Sequence, residues 1–368
     1  MKRRLAAAAV LLIISAVLMV LAARQPAFAQ WYSSTVYQFL AASAGRIFGI
    51  FPFSVSELLL YVLIAAFILS AAVMAVKTIK AVKMGRKVEV GTAALGDAAQ
   101  IAVSWMSAVL LAVGILAFLY TVCCGINYQR RSFSEEEGII TYKYSVQDLK
   151  EICLWLTDEV NALSGQVERD SGGVMILEGP EGEVAVEAMQ GLAEAFSSLD
   201  GYYPQPKKLL VSELLSYQGL TGVYSPFTVE ANYNGDMTAY NIPFTTCHEL
   251  SHLRGFMQEE EANFIAFLAC TGSGRADFQY SGYLSGWMYC MNALYRADYE
   301  SWQEVRTLLD GAVESDLAAN SAFWDAYKGK ISEAAGRIND TYLKVNGQAD
   351  GVQSYNRMVD LIVAYFEK

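Results

Sequence analysis

Histidine is scarce in this chain of 368 residues: there are only two, His248 and His252, and they stand four residues apart. None of the six cysteines forms a C-x-x-C pair, which excludes a zinc ribbon. A metal site that uses imidazole ligands must therefore use these two histidines and complete its ligand set with other groups. The cysteines are scattered, and their spacing does not dictate disulfide pairs.

Positive charge is scarce after residue 124. Residues 1–124 contain ten Lys and Arg against three Asp and Glu, whereas residues 125–368 contain 17 against 35, a net charge of −18. An acidic surface repels the phosphates of nucleic acid, so we expect no nucleic-acid partner. The acidic excess also keeps a folded domain soluble.

Three uncharged apolar runs occupy the first third of the chain, at residues 5–23, 58–76 and 101–124. Each is long enough to cross the ~30 Å hydrocarbon layer as a helix. We therefore predict a membrane domain over residues 1–124, with three transmembrane helices in contact with the lipid bilayer. Residues 125–368 are predicted to form a second, water-exposed domain.

Basic residues predict how the three helices are oriented. Lys2, Arg3 and Arg4 precede the first span, and a group of basic residues separates the second span from the third: Lys77, Lys80, Lys83, Arg86 and Lys87. The positive-inside rule then places the N-terminus in the cytoplasm and residues 125–368 outside the cytoplasmic membrane. Residues 1–29 also have the pattern of a cleavable signal, but the apolar run is long for one, which favours a retained anchor.

The remaining pattern is mainly helical. Residues 30–56 are rich in aromatic side chains, which favours an interfacial segment on the outer face, and residues 125–144 read as a polar connector. A Ser145–Asp148 capping box predicts a helix start. Residues 225–234 predict a strand, followed by an Asn234-Gly235 turn. We therefore expect a mainly α chain with a small sheet.

The run His248-Glu249-Leu250-Ser251-His252 has the pattern H-E-x-x-H. On a helix, residues four apart share a face, so both imidazoles can bind one metal ion. Glu249 lies beside that face, within reach of a metal-bound water. Two histidines at this spacing also occur as ordinary surface or buried pairs. Gly255 and the acidic residues 259–261, which follow, favour a metal site.

Catalytic zinc sites usually have three protein ligands and one water. Glu259, Glu260 and Glu261 face different sides of the next predicted helix, so at most two of them can reach the metal. Glu259 is favoured because Asn263 lies four residues on, where it can orient a ligand; Glu261 is the second choice. Cys247 points about 100° away from His248, which favours a packing role.

Several segments resemble an uncharacterised family of bacterial membrane proteins, domain of unknown function 3810. The segments that carry the resemblance are 248–256, 259–264, 225–231, 280–284 and 342–346. The resemblance covers nearly the whole chain, including three spans followed by the metal motif. The motif is also similar to the gluzincin metallopeptidases, whose third ligand is the Glu of an E-x-x-x-D pattern. That resemblance implies a zincin-like α+β domain, with Glu259 as the ligand and Asn263 where Asp is usual.

The spacing departs from that family's pattern. Glu259 follows His252 much more closely than in most gluzincins, and the layout H-E-x-x-H-x-x-G is nearer to the metzincins. The resemblance therefore implies a peptidase-like site without fixing the third ligand or naming a substrate.

The expected function is that of a membrane-anchored zinc metallopeptidase acting outside the cytoplasmic membrane. His248, His252 and Glu259 would bind Zn²⁺, and Glu249 would take a proton from the zinc-bound water as general base. The strand at 225–234 would pair with an extended peptide or protein substrate. A tyrosine is expected to stabilise the developing negative charge on the carbonyl oxygen, with Tyr283 the first candidate and Tyr280 the second.

Two other interpretations compete with this one. A non-catalytic membrane receptor or scaffold would use a structural zinc ion with four protein ligands, with Cys247 or a second glutamate completing the set. An intramembrane protease would carry its motif inside an apolar span. The position of His248, far from all three runs, argues against the latter.

Overall fold

The computed structural model describes residues 1–87, 91–348, 351 and 357–366. Its first third is a helical bundle formed by α1 (Lys2–Arg24), α2 (Pro26–Trp31), α3 (Tyr37–Phe48), α4 (Val55–Lys87) and α5 (Gly91–Tyr120). A π-turn at Thr121–Gly125 and a 3₁₀ turn at Ile126–Gln129 continue α5. Among the described residues, three helices are long and apolar enough to span a membrane, at Lys2–Arg24, Val55–Lys83 and Gly96–Gln129. Each contains one of the predicted runs, so the prediction of three candidate spans is confirmed.

Small residues set how the first and third spans pack. A Cβ on Gly114 would lie 3.3 Å from the Ala8 carbonyl oxygen, and one on Gly125 would lie 2.8 Å from Met19 Sδ. Glycine allows such close helix contacts. Gly114 follows Ala8 by the same number of residues as Gly125 follows Met19. The chain therefore runs in the same direction in both segments, so α1 and α5 are parallel.

The rest of the chain is mainly helical, as predicted, with one small sheet. Its helices are α6 (Phe133–Glu136), α7 (Val146–Ser164), α8 (Glu181–Ala195), α9 (Glu213–Gln218), α10 (Asn241–Leu253), α11 (Glu259–Thr271), α12 (Ala276–Ala297), α13 (Tyr299–Arg306), α14 (Gly311–Ala326), α15 (Lys330–Val345) and α16 (Met358–Phe366). The predicted capping box of Ser145 and Asp148 starts α7. Helices α7, α10, α11, α12 and α16 surround a continuous apolar core.

The sheet corrects the predicted strand at 225–234. Its three strands are β1 (Lys207–Lys208), β2 (Gly222–Ser225) and β3 (Glu230–Tyr233), in the order β1-β3-β2. Pro226 has no N–H to donate, and Val229 has a φ of 55°, so the chain turns between β2 and β3. β3 pairs parallel with β1 and antiparallel with β2, so it lies in the centre of the sheet. The edge strand nearest the motif helix is therefore β2, and the prediction of a single strand over 225–234 was wrong.

The start of the second span is bound to this sheet through Glu230. Its buried carboxylate accepts hydrogen bonds from the amides of Val55, at 3.1 Å, and Ser56, at 2.7 Å. Lys207, also buried, forms an ion pair with Glu230 and donates to the Phe48 carbonyl at 2.7 Å. The free N–H groups at the helix start and the buried carboxylate thus satisfy each other.

Two segments bind the end of α10: α3, which precedes the second span, and the residues that follow the third span. The Tyr37 hydroxyl donates to the Leu253 carbonyl at 2.9 Å. Gln38 and Arg130 donate to the Arg254 carbonyl at 3.1 and 3.2 Å. These carbonyls lack partners within the helix, so the contacts satisfy its C-terminal end. The aromatic segment 30–56 therefore packs beneath the motif helix.

Residues 125–144 are not the polar connector that the sequence predicted. Ile126, Asn127 and Phe133 are fully buried, and Phe133 stacks edge-on against Phe256 just after the motif helix. The interval is polar on average, but Ile126, Phe133 and Ile139 are buried in the core, whereas Ile140 is exposed.

The ion pair of Lys207 with Glu230 provides a stability test. Lys207→Met should lower the free energy of unfolding in detergent by about 3 kcal/mol, because it removes one partner of a buried pair. The neighbouring Lys208 is exposed, so Lys208→Met is the matched control and should change stability little. Equal effects of the two substitutions in chemical denaturation would contradict the assigned role of the pair.

Candidate metal centre

The motif lies in α10, where helical spacing places both histidines on one face. Their ring centroids are 4.6 Å apart. The helix ends at Leu253 with Arg254 as its C-cap, and Gly255 follows with a φ of +90°, which suits glycine. The chain then reverses over three residues, and α11 begins at Glu259 and packs against α10.

That reversal brings the Glu259 carboxylate to the two imidazoles. Its Oε2 lies 3.3 Å from Nε2 of His248 and 3.7 Å from Nε2 of His252. One ligand-type atom from each of the three residues lies within 4.8 Å of the others. Among the described residues, no fourth His, Cys, Asp or Glu joins the group. The three predicted ligands therefore meet in an arrangement that could hold a metal ion.

The backbone orients His252. Its Nδ1 lies 2.8 Å from the carbonyl oxygen of Phe256, which can only accept a hydrogen bond. Nδ1 therefore carries a proton, and in the neutral ring the lone pair is left on Nε2, facing Glu259. A hydrogen bond to the other ring nitrogen is the usual way in which proteins orient a metal-binding histidine.

The electrostatics of the triad favour a cation. Burial lowers the pKa of His252, but the nearby carboxylates of Glu259 and Glu249 and the Phe256 carbonyl together outweigh this and raise the pKa to about 9. Burial raises the pKa of Glu259, yet the two histidines hold it well below its usual range. The site therefore stabilises positive charge between the three side chains, which a divalent cation would supply. His248 also has a buried Nδ1 with no hydrogen-bond partner among the described residues.

Glu249 lies beside the triad and is buried. Its Oε2 has no hydrogen-bond partner within the described part of the chain. Burial raises the carboxyl pKa from its ordinary 4.5 to about 7, although the neighbouring histidines lower it. On its other side, a Cβ at Gly222 would lie 2.5 Å from Oε1. The first residue of β2 must therefore lack a side chain for Glu249 to occupy this position.

The other two glutamates of the acidic cluster have different partners. Glu261, the second choice for third ligand, accepts hydrogen bonds from the Ser134 amide at 2.9 Å and the Ser134 hydroxyl at 2.6 Å. Glu260 accepts one from Gln348 at 2.7 Å. Only Glu259 faces the histidines.

Asn263 has a partner that the sequence did not indicate. It donates from Nδ2 to the Tyr289 hydroxyl at 3.3 Å, and the described contacts include no hydrogen bond between Asn263 and Glu259. Burial raises the pKa of Tyr289 to about 12, and Glu259 contributes to that rise. Asn263 thus connects α11 to α12 instead of orienting Glu259 directly.

The two tyrosines proposed to stabilise the carbonyl oxygen lie elsewhere. Tyr283 packs edge-on against Trp155 and Phe267, with ring centroids 5.8 and 6.1 Å away. Phe267 lies two turns along α11 from Glu259, about 12 Å at 1.5 Å per residue. The hydroxyl of Tyr280 instead donates to Asp316. Their contacts give both tyrosines packing roles, because α12 turns them toward α7 and α14.

Cys247 also has the packing role that its angle on the helix favoured. It is fully buried, and its thiol lies beside that of Cys270. All six cysteines fall in the described part of the chain, and all are free and buried. Cys247 is therefore not a member of the triad.

Three groups around the triad were not found from the sequence. They are the Phe256 carbonyl, Gly222 and Tyr224, whose ring centroid lies 6.5 Å from that of His252. A backbone carbonyl leaves no mark in a sequence. Gly222 and Tyr224 lie just before the predicted strand, where only the true position of β2 shows their relation to α10.

Comparison with known proteins gives a family match. The family described as "Protein of unknown function (DUF3810)" matches residues 32–363. No curated protein and no solved structure matches the chain. The matched range includes the second and third candidate spans and the whole triad.

The raised pKa of Glu249 predicts a pH-dependent stability in the metal-free protein. A carboxyl whose pKa is higher in the folded than in the unfolded chain favours folding below pH 4.5, and this contribution is lost as pH rises to about 7. Glu249→Gln should therefore stabilise chelator-treated protein at pH 8 by up to about 3 kcal/mol, and by little at pH 4.5.

Thermal unfolding in detergent at the two pH values checks this. Glu187, exposed on α8, provides the control substitution Glu187→Gln. A stabilisation by Glu249→Gln of equal size at both pH values would contradict the pKa assignment.

Proposed function

Because the chain belongs to this family of proteins of unknown function, its activity has to be inferred from its site, and we propose that it is a membrane-anchored zinc metallopeptidase. The observation that carries the proposal is the combination of three ligand-type groups with a buried carboxylate beside them. His248, His252 and Glu259 supply two nitrogens and one oxygen within 4.8 Å of each other. Glu249, with an unpartnered oxygen, lies next to them.

Zinc fits this donor set. Two imidazoles and one carboxylate are a common ligand set of catalytic zinc, which keeps its fourth position for water or substrate. Zinc bound there would lower the pKa of water towards ~7 and polarise a carbonyl group. Calcium and magnesium prefer ligand sets made entirely of oxygen, so they fit less well.

Glu249 supplies the proton transfer. As general base, its unpartnered Oε2 accepts the proton of the attacking water, and as general acid it delivers that proton to the leaving amine. Its pKa of about 7 in the metal-free protein means that it can hold or release a proton near neutral pH. Burial keeps bulk water from competing for this oxygen.

The edge strand β2 offers a binding surface for an extended peptide. Among the described residues it pairs only with β3, which leaves its other edge for backbone hydrogen bonds. Gly222, at the start of β2, touches Glu249. A peptide or protein substrate paired with this edge would therefore pass beside the general base.

The membrane orientation is also part of the proposal. Val55, at the start of α4, is bonded to the sheet beside the site. Lys77, Lys80 and Lys83 therefore lie toward the opposite end of this helix, which is about 50 Å long at 1.5 Å per residue. With basic residues favoured in the cytoplasm, the metal centre would lie outside the cytoplasmic membrane.

A structural zinc site in a receptor or scaffold is the competing function, and it requires a fourth protein ligand. The described residues provide none: Cys247 lies against Cys270, and Glu261 binds Ser134. The geometry therefore favours an open site over a closed one.

Metal content and hydrolysis together test the proposal. Purified wild type should contain one zinc per chain and cleave members of a mixed peptide library, as detected by mass spectrometry. Glu249→Gln should retain the zinc but lose at least 10²-fold of the activity, the lower range for general base catalysis. His248→Ala should lose both. Cleavage by Glu249→Gln at the wild-type rate would contradict the assigned role of Glu249. Absence of zinc from the purified wild-type protein would contradict the proposed metal.

The contact of Gly222 with Glu249 gives a sharper test of position. Gly222→Ala should displace the Glu249 carboxylate and lower kcat/KM at least ten-fold, while zinc content stays unchanged. Gly165→Ala is the control, since a Cβ there meets nothing within 4 Å and the φ is negative. Full activity of Gly222→Ala would show that the exact position of Glu249 is unimportant.

A further inference from the structure

Two segments of the C-terminal part expose large apolar side chains. The first leads into α9 and includes Leu210, which is 64% exposed, and the exposed Val211 and Leu214. The second is α15, where Ile338 and Val345 are 70% and 80% exposed. Helices α9 and α15 contact each other, so the two segments form one neighbouring surface.

The first segment is bound to the beginning of the second span. The Glu57 carboxylate lies in the first turn of α4 and accepts hydrogen bonds from the amides of Leu210, at 2.7 Å, and Val211, at 2.9 Å. These two residues therefore lie at the level where the apolar helix starts. Their exposed side chains are close to the bilayer surface if α4 spans it.

The second segment is bound to the end of α5, within the third candidate span. Tyr120, the last residue of α5, donates to Asn346 Oδ1 at 2.8 Å, and its hydroxyl lies 3.2 Å from that of Tyr342. Ile338 and Val345 are four residues before and three residues after Tyr342, so all three lie on one face of α15. The exposed apolar face of α15 is thus the face that contacts α5 through Tyr342.

The pattern of α15 is that of a helix lying in a membrane surface. Ile331, Ile338 and Val345 recur every seven residues and form one stripe. The position before each of these residues is basic, which gives a second stripe beside the first: Lys330, Arg337 and Lys344. Glu333 and Asp340 lie on the opposite face. Lys344 also forms an ion pair with Asp340 at 2.7 Å. Basic side chains beside an apolar stripe bind lipid headgroups while the stripe enters the acyl boundary.

We propose that residues 210–217 and α15 together form a lipid-contact surface. Their apolar side chains insert into the headgroup region of the bilayer leaflet next to the metal centre. Continuity with the candidate spans identifies lipid as the occupant, because Glu57 and Tyr120 hold the two segments against the second and third spans. A second copy of the chain or another protein would instead have to displace lipid from beside its own anchor.

This surface also narrows the substrate class, an inference that rests on the proposed peptidase function. Helix α9 ends at Gln218, four residues before Gly222, and four residues span at most ~14 Å. Gly222 touches Glu249. The general base therefore lies close to the bilayer surface, where it would reach polypeptide segments adjoining a membrane anchor.

Depth-dependent fluorescence quenching tests the lipid contact without requiring activity. All six native cysteines are buried, so single Ile338→Cys and Leu214→Cys variants of the full chain can be labelled with an environment-sensitive fluorophore. The labelled variants are placed in phosphatidylcholine–phosphatidylglycerol nanodiscs, with and without lipids that carry a nitroxide near the headgroup. Glu333→Cys, on the opposite face of α15, is the matched control.

We expect nitroxide lipids to quench at least half of the emission at 338 and 214, whereas aqueous iodide quenches mainly at 333. Iodide quenching at 338 and 214 equal to that at 333 would overturn the proposal. So would crosslinking of these positions to a second chain. Val345→Cys and Leu210→Cys should show the same quenching by nitroxide lipids. These two variants replace the first pair if either of those fails to fold.

Cleavage of a mixed-sequence fluorogenic decapeptide library, either free or attached to a lipid, tests the substrate class. We expect at least ten-fold faster cleavage of the lipid-attached form in nanodiscs, reduced in an Ile338→Asp, Leu214→Asp double variant. Equal rates for the two forms would overturn the substrate inference. Cleavage of neither form would count against the proposed function, while the quenching result would still decide the lipid contact.

Discussion

The whole site depends on the buried carboxylate of Glu259, which lies against two imidazoles. Burying a carboxylate costs free energy unless a positive charge lies beside it. The Glu259 carboxylate accordingly helps to raise the pKa of His252, which means that it favours a positive charge at this position. The seven-residue step from His252 to Glu259 is short enough for one glycine-ended turn to close it. Two packed helices and one tight turn thus assemble a potential metal site, without any residue from a distant part of the chain.

The first third of the chain contributes directly to the shape of this site. Tyr37 and Arg130 bind carbonyls at the end of α10, and Glu230 binds the first amides of α4. The family match from residue 32 to 363 likewise crosses the predicted boundary at 124. The second candidate span and the segments beside the spans therefore position the motif helix and the sheet, and substitutions there should alter the site.

The sequence predicted the elements that depend on a strong local pattern. Apolar runs of sufficient length located the three candidate spans, and helical spacing with Gly255 located the motif helix and the approach of Glu259. The sequence-based predictions failed where a local pattern does not determine which side chains or strands come into contact. The alternating run at 225–234 hid the turn at Pro226 and Val229. With 22 tyrosines in the chain, nothing local distinguished Tyr283 in its aromatic cluster from one that faces the triad.

The central claim is an open zinc site with two imidazole ligands and one carboxylate ligand. X-ray absorption spectroscopy at the zinc edge, on purified full-length protein, tests it most directly. The account predicts a shell of nitrogen and oxygen only, at about 2.0–2.2 Å, with two histidines and one exchangeable oxygen ligand. A zinc–sulfur distance near ~2.3 Å, or a fourth protein ligand in place of the exchangeable one, would contradict it.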